Sequence, residues 1–192
     1  MIRIALIGDI GSGKTHVSKK FNYPVFNADN EVSKLYKKNI KCFNKFKKIF
    51  PKYITKLPIE KKQLIKVILA NPSNLKKIVK IIHPEVQYCM NKFLKKNKNS
   101  KIVVLDIPLL LENKINKKGD ILIFVDANKN EINKRLKKRK NINMKLVKKL
   151  KKLQLPVETK KKKANFIIKN NFNNNFVKKS VKNILNNILS YD

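Results

Sequence analysis

The 192-residue sequence predicts an α/β fold, a parallel sheet flanked by helices with a helical insertion. Three observations carry that expectation. Five short apolar runs alternate with stretches of helical periodicity. The first run passes directly into a glycine loop and then a helix. The stretch from about 30 to 98 shows helical periodicity and no strand pattern.

Residues 2–8 make the first strand, apolar enough to lie centrally in a parallel sheet. The loop Gly8-Asp9-Ile10-Gly11-Ser12-Gly13-Lys14-Thr15 follows and fits the phosphate-binding spacing G-x-x-x-x-G-K-[ST]. Three of the chain's four glycines lie in it. Glycines let successive backbone N–H groups point inward at phosphate oxygens. The next helix, from about Lys14 to Phe21, adds the positive end of its dipole. Lys14 is expected to reach the β- and γ-phosphates and the Thr15 hydroxyl to ligate Mg²⁺. A plain glycine turn needs neither side chain.

Tyr23–Asn27 reads as the second strand, ending in Asn27-Ala28-Asp29. Ligands of open parallel sheets bind beyond the carboxyl ends of strands, which places Asp29 near the loop. Helical faces follow: Val32, Leu35 and Tyr36, then Phe43, Phe46, Ile49 and Phe50, stopped by Pro51. Gln63–Ala70 and Leu75–Ile82 come next, separated by Asn71-Pro72. His83-Pro84 is expected to break the helix, which Glu85–Leu94 resumes. This insertion is a natural place for a second substrate.

Residues 102–107 make the third strand, ending near Asp106 and followed by Pro108-Leu109-Leu110-Leu111-Glu112. An acidic residue there either holds Mg²⁺ through water or caps the strand. Residues 121–126 and Asn165–Lys169 make the fourth and fifth strands. Between them, residues 130–163 are basic and helical. Arg135 and Arg139 are four apart and share a helix face, where they clamp phosphates, stack on adenine or stand solvated. The stretch to Lys163 has the character of a mobile lid. Phe176–Leu189 closes the chain as an amphipathic helix. By itself, His83 reads as a structural cap, and His16 as surface or core filler.

Composition narrows the function. Hydrophobic residues make up 42% of the chain, enough for a globular core. No apolar run reaches bilayer length, and the N-terminus lacks a signal-peptide layout, so a cytoplasmic protein with no membrane partner is expected. Cys42 and Cys89 fit no metal spacing. The net charge of +35 invites a nucleic-acid partner. Only three of the 47 basic residues are arginine, however, and the lysines are spread along the chain. Lysine, asparagine and isoleucine all have A/T-rich codons, so biased composition explains the charge more simply. Against that drift, Arg3, Arg135 and Arg139 stand out as positions where a planar fork is needed.

The phosphate loop, Asn27-Ala28-Asp29, His83-Pro84, Pro108 to Glu112, Arg135-x3-Arg139, Gln154 and Asn170 occur in one order and spacing. Together they resemble the dephospho-CoA kinase family over nearly the whole chain. The resemblance implies a P-loop NTPase-type fold with a five-stranded parallel sheet. It implies one kinase domain over 1–192, with a core of 1–29, 100–134 and 164–192, a helical substrate region over 30–99 and a lid over 135–163. It implies transfer of the γ-phosphoryl of ATP to the ribose 3′-hydroxyl of dephospho-CoA, with Mg²⁺, in a monomer or small homo-oligomer. Asp29 would be the general base, with Lys14 and Arg135 also catalytic. Gly8, Gly11, Ser12, Gly13, Lys14, Thr15, His16 and Arg139 would bind ATP. Asp29, His83, Pro84, Leu109 and Glu112 would bind the acceptor, and Thr15 and Asp106 the metal. Four residues depart from the family pattern. Asn27 and Asn165 replace aspartates, Lys61 an arginine and Asp9 a glycine. Asp9 would set a negative charge near phosphates. The rival readings are a nucleoside or nucleotide kinase on the same core, and a basic nucleic-acid-binding ATPase without an ordered base-stacking motif.

Overall fold

The computed structural model describes residues 1–71, 73–138 and 143–190. It forms two compact units. Met1–Asn27 and Asn97–Asp192 make the first, and Ala28–Lys96 the second.

The first unit is built on five strands: β1 (Ile2–Ile7), β2 (Val25–Asn27), β3 (Ile102–Asp106), β4 (Ile121–Asp126) and β5 (Phe166–Lys169). They pair in the order β2-β3-β1-β4-β5, and every pairing is parallel. β3 is buried along its length, and its apolar run over 102–105 suits a strand covered on both faces. The register sets Asn27 and Leu6 beside Asp106. The carboxyl edge of three strands is therefore level where the glycine loop leaves β1. β2 starts two residues later than the sequence suggests. β5 begins at Phe166, one residue past Asn165. Asn165 bridges instead: its backbone N–H donates to Leu122 O and its Oδ1 accepts from Leu122 N, both at 2.8 Å. The amide oxygen thus performs the acceptor role that an aspartate would.

Helices cover the sheet. α1 (Lys14–Ser18) continues into a 3₁₀ turn, Lys19–Phe21, and Asn22 ends it at φ 56°. Val17 and Phe21 pack with Ile4, Leu6, Val104, Ile123, Val125 and Ile168 in the main core. The closing helix, labelled α9 below (Asn174–Leu189), adds Val177, Val181, Ile184 and Ile188 to that core. The Asn173 side chain accepts from Asn175 N and Phe176 N and caps its start. Three more helices precede β5: α6 (Lys129–Lys138), α7 (Met144–Lys151) and α8 (Val157–Lys163). Ile132 and Leu136 of α6 join Val147 of α7 in a smaller cluster that takes in Ile10 of the loop. Arg3 turns its fork on Asp120, with Nη2 donating to Oδ2 at 3.1 Å. Its Nε lies 3.0 Å from Oδ1 but is poorly aligned, so that contact is coulombic.

The second unit is helical among its described residues: α2 (Ala28–Lys38), α3 (Ile40–Ile49), α4 (Lys61–Ala70) and α5 (Ser73–Lys96). Asn39 caps α3 by accepting from Cys42 N. Gln63 reaches back to Glu60 N at the start of α4. α5 packs against the other three helices, and Tyr36 meets Phe46 edge-on at 5.7 Å. The expected helix break at His83-Pro84 is wrong: α5 runs through Pro84 without interruption. Pro84 and Lys80 both lie on the exposed side, so water can take the carbonyl the proline leaves unpaired. Ile78, Ile81, Ile82 and Met90 are buried on either side of it and hold the helix to the core. No helix among the described residues is long and apolar enough to cross a membrane.

Candidate phosphate-transfer site

The loop after β1 is held from within and from outside. Inside it, Ser12 N donates to Asp9 O at 3.1 Å. The Lys14 ammonium donates to Gly8 O and Asp9 O, each at 3.0 Å. Gly13 sits at φ 91° at the start of α1, and its carbonyl accepts from His16 N and Val17 N. The turn thus ends with its last N–H groups aligned on the helix axis, the arrangement that favours anions.

From outside, two segments near the C-terminal end of the chain grip the loop. Gln154 accepts from Ile10 N at 3.2 Å and donates to Gly8 O at 3.3 Å. Asn170, 3% exposed, donates to Ser12 O at 2.7 Å, and its backbone N–H donates to Asp126 O. Its Oδ1 accepts from Phe172 N at 2.9 Å and holds Phe172 at φ 62°. The Phe172 ring lies under Arg135, 4.2 Å from the guanidinium carbon to the ring centre. Arg135 therefore stands beside the loop, on an aromatic support the sequence did not indicate. Arg139 lies outside the described residues. His16, on α1, has its pKa lowered from 6.5 by burial, with Lys20, Arg135 and Lys19 acting the same way. A hydrogen bond with Asn174 opposes them.

Thr15 and Asp106 come together. The Thr15 hydroxyl donates to Asp106 Oδ2 at 2.6 Å, and Asn27 Nδ2 donates to the same oxygen at 2.5 Å. Asp106 is buried, so these donors offset part of its desolvation. An aspartate at position 27 would bring a second carboxylate instead of a donor. Leu109 and Glu112 also belong to this unit, lining a narrow cleft with Gly8, Lys14, Gln154 and Lys160. Leu109 takes φ 55°, and Glu112 accepts from Leu155 N at 2.9 Å.

The other predicted residues belong to the helical unit. Asp29 is exposed in the first turn of α2. Its charge adds to burial, and to Cys42, in pushing the Tyr36 phenol up. His83 is half-buried and Pro84 exposed on α5, while Lys61 opens α4. Asp9, expected to set a negative charge near the phosphates, has a counter-ion: Lys160 Nζ lies 2.6 Å from its Oδ1. Sequence reasoning missed Lys160 because it is one of four consecutive lysines, Lys160 to Lys163. Nothing local separates the buried one from the other three.

Comparison with known proteins shows the family. The dephospho-CoA kinase family model matches residues 2–175. A dephospho-CoA kinase of Wolbachia pipientis wMel is 33% identical over 190 residues, covering 96% of this chain and 97% of its own. A crystal structure from Thermus thermophilus superposes with a TM-score of 0.80 at 25% identity, covering 97% of both chains. Dephospho-CoA kinase from Campylobacter jejuni shares the fold, with a TM-score of 0.61 at 20% identity and 97% and 96% coverage.

Proposed function

Because the chain belongs to the dephospho-CoA kinase family, we propose that it transfers the γ-phosphoryl group of ATP to the ribose 3′-hydroxyl of dephospho-CoA. The products are coenzyme A and ADP. The observation that carries this reading is the family match across residues 2–175, over a chain whose phosphate loop sets Thr15 on Asp106.

Phosphoryl transfer asks the protein mainly for alignment and charge neutralisation. The N–H groups of Gly8 to Thr15 and the start of α1 bind the ATP phosphates. Lys14 exchanges its loop carbonyls for β- and γ-phosphate oxygens, and His16 stands beside them on α1. Arg135 and Arg139 hold the nucleotide. Thr15 and Asp106 suit Mg²⁺, since they bring two hard oxygens within 2.6 Å of each other. When bound, that ion neutralises phosphate charge. Asp29 takes the proton of the acceptor hydroxyl, whose oxygen bonds to the γ-phosphorus as the bond to ADP breaks. His83, Pro84, Leu109 and Glu112 bind the acceptor. The basic stretch 135–163 closes as a lid and excludes water. The enzyme works in the cytoplasm as a monomer or small homo-oligomer.

Purified protein with ATP, Mg²⁺ and dephospho-CoA tests this reading. Stoichiometric coenzyme A and ADP are expected. Preferential phosphorylation of adenosine, or of a nucleoside monophosphate, would transfer the reading to another kinase on the same core.

A further inference from the structure

We propose that Lys160 is a positioning residue for ATP binding. Its ammonium neutralises Asp9 and holds that carboxylate away from the nucleotide phosphates. The inference rests on the assignment of the glycine loop to those phosphates.

Lys160 is the only basic residue among those described that is buried, its side chain 2% exposed. A buried ammonium needs an ionic partner, and this one takes Asp9 Oδ1 at 2.6 Å. Lys161, next in α8, shows the contrast: it is part-exposed and pairs with Asp126 at 3.2 Å, away from the loop. Asp9 is held on both of its chemical faces. Its backbone carbonyl accepts from Lys14 Nζ and Ser12 N, while its carboxylate goes to Lys160. Gln154 grips the residues on either side, Gly8 and Ile10. Three consecutive loop residues are thus secured by a short segment, 154–160. The loop must accept a polyanion. A carboxylate with no counter-ion in it would repel that polyanion strongly, because such charges are weakly screened near the protein interior. Paired with Lys160, Asp9 adds no net charge, and its side chain is directed toward α8.

The test measures MgATP affinity by calorimetry and KM and kcat in the same variants. Lys160→Met should weaken MgATP binding about tenfold or more and raise the KM for ATP in step, with kcat changed far less. Lys160→Arg, which keeps the charge, should recover most of the affinity. Asp9→Asn should bind MgATP at least as tightly as the parent protein, because it removes a negative charge and releases the ammonium. The double variant Asp9→Asn with Lys160→Met should recover to within about threefold of Asp9→Asn alone. A double variant as weak as Lys160→Met would overturn the proposal, since Lys160 would then act on the nucleotide or the fold directly. So would Asp9→Asn binding more weakly than the parent, a result independent of whether Lys160→Met folds. Lys14→Met serves as the control. If it still binds MgATP normally, the loop assignment fails whatever happens at Lys160.

Discussion

Replacing Gly13 with alanine tests how tightly the loop is built. A Cβ at Gly13 would lie 2.3 Å from Asn170 Nδ2. An ordinary contact needs at least about 3.4 Å, so the amide must retreat by roughly 1 Å. That movement takes it out of hydrogen-bond range of Ser12 O, now 2.7 Å away, and leaves a buried amide unpaired. The loss is about 1–3 kcal/mol. Gly13 also sits at φ 91°, where an alanine costs about 1–2 kcal/mol. The sum is about 2–5 kcal/mol. Gly119 isolates the backbone part. It has φ 90°, and nothing lies within 4 Å of its added Cβ. Gly119→Ala should therefore cost only about 1–2 kcal/mol. Urea unfolding followed by circular dichroism should separate the two variants by about 1–3 kcal/mol, or roughly 2–12 °C in Tm for a chain of this size. Equal destabilisation would refute the reasoning, because it would mean that Asn170 does not press on Gly13.

Other outcomes follow from particular side chains. Asp29→Asn should lower kcat by about 10²–10⁴ while MgATP affinity stays unchanged, read by steady-state kinetics beside calorimetry. The lowered pKa of His16 means that the unfolded chain holds its proton more firmly. Its stabilising contribution is complete above its ordinary value of 6.5 and is lost as the pH falls through the lower folded-state value. His16→Asn should flatten that part of the stability–pH curve, measured by urea unfolding between pH 5 and 8 (about the range of histidine titration). Burial pushes the Cys42 thiol up to about 11, so in the native protein it should resist alkylation at mildly alkaline pH. Cys89 is raised too, yet is half-exposed and should react first, with mass spectrometry of labelled peptides giving the order.

Much of the fold was legible because its signals are local. β1 is apolar apart from Arg3, and β3 is apolar as far as Asp106; a strand covered on both faces admits little else. The phosphate loop was legible because its glycines and Lys14-Thr15 fall at fixed spacing. The break expected at Pro84 failed for a non-local reason. An internal proline costs a helix one hydrogen bond and crowds the carbonyl four residues back, but the helix persists where water reaches that carbonyl and a core holds both flanks. Here the proline is on the exposed side while Ile78, Ile82 and Met90 stay buried.

By itself, the sequence determined the order of strands and helices, the glycine loop after β1 and the helical insertion. These depend on apolar period, glycine spacing and residue type, all readable within a few turns of chain. The tertiary structure decided which distant side chains reach the loop. Lys160 lies 151 residues from Asp9 and Asn170 158 residues from Ser12, yet both make direct hydrogen bonds. Parallel pairing of β4 with β5 brings the C-terminal segment beside the loop, and tertiary packing distinguishes one buried lysine from its neighbours. Asp9 looks like a defect in the sequence. Its compensation is visible only after the chain has folded back on it.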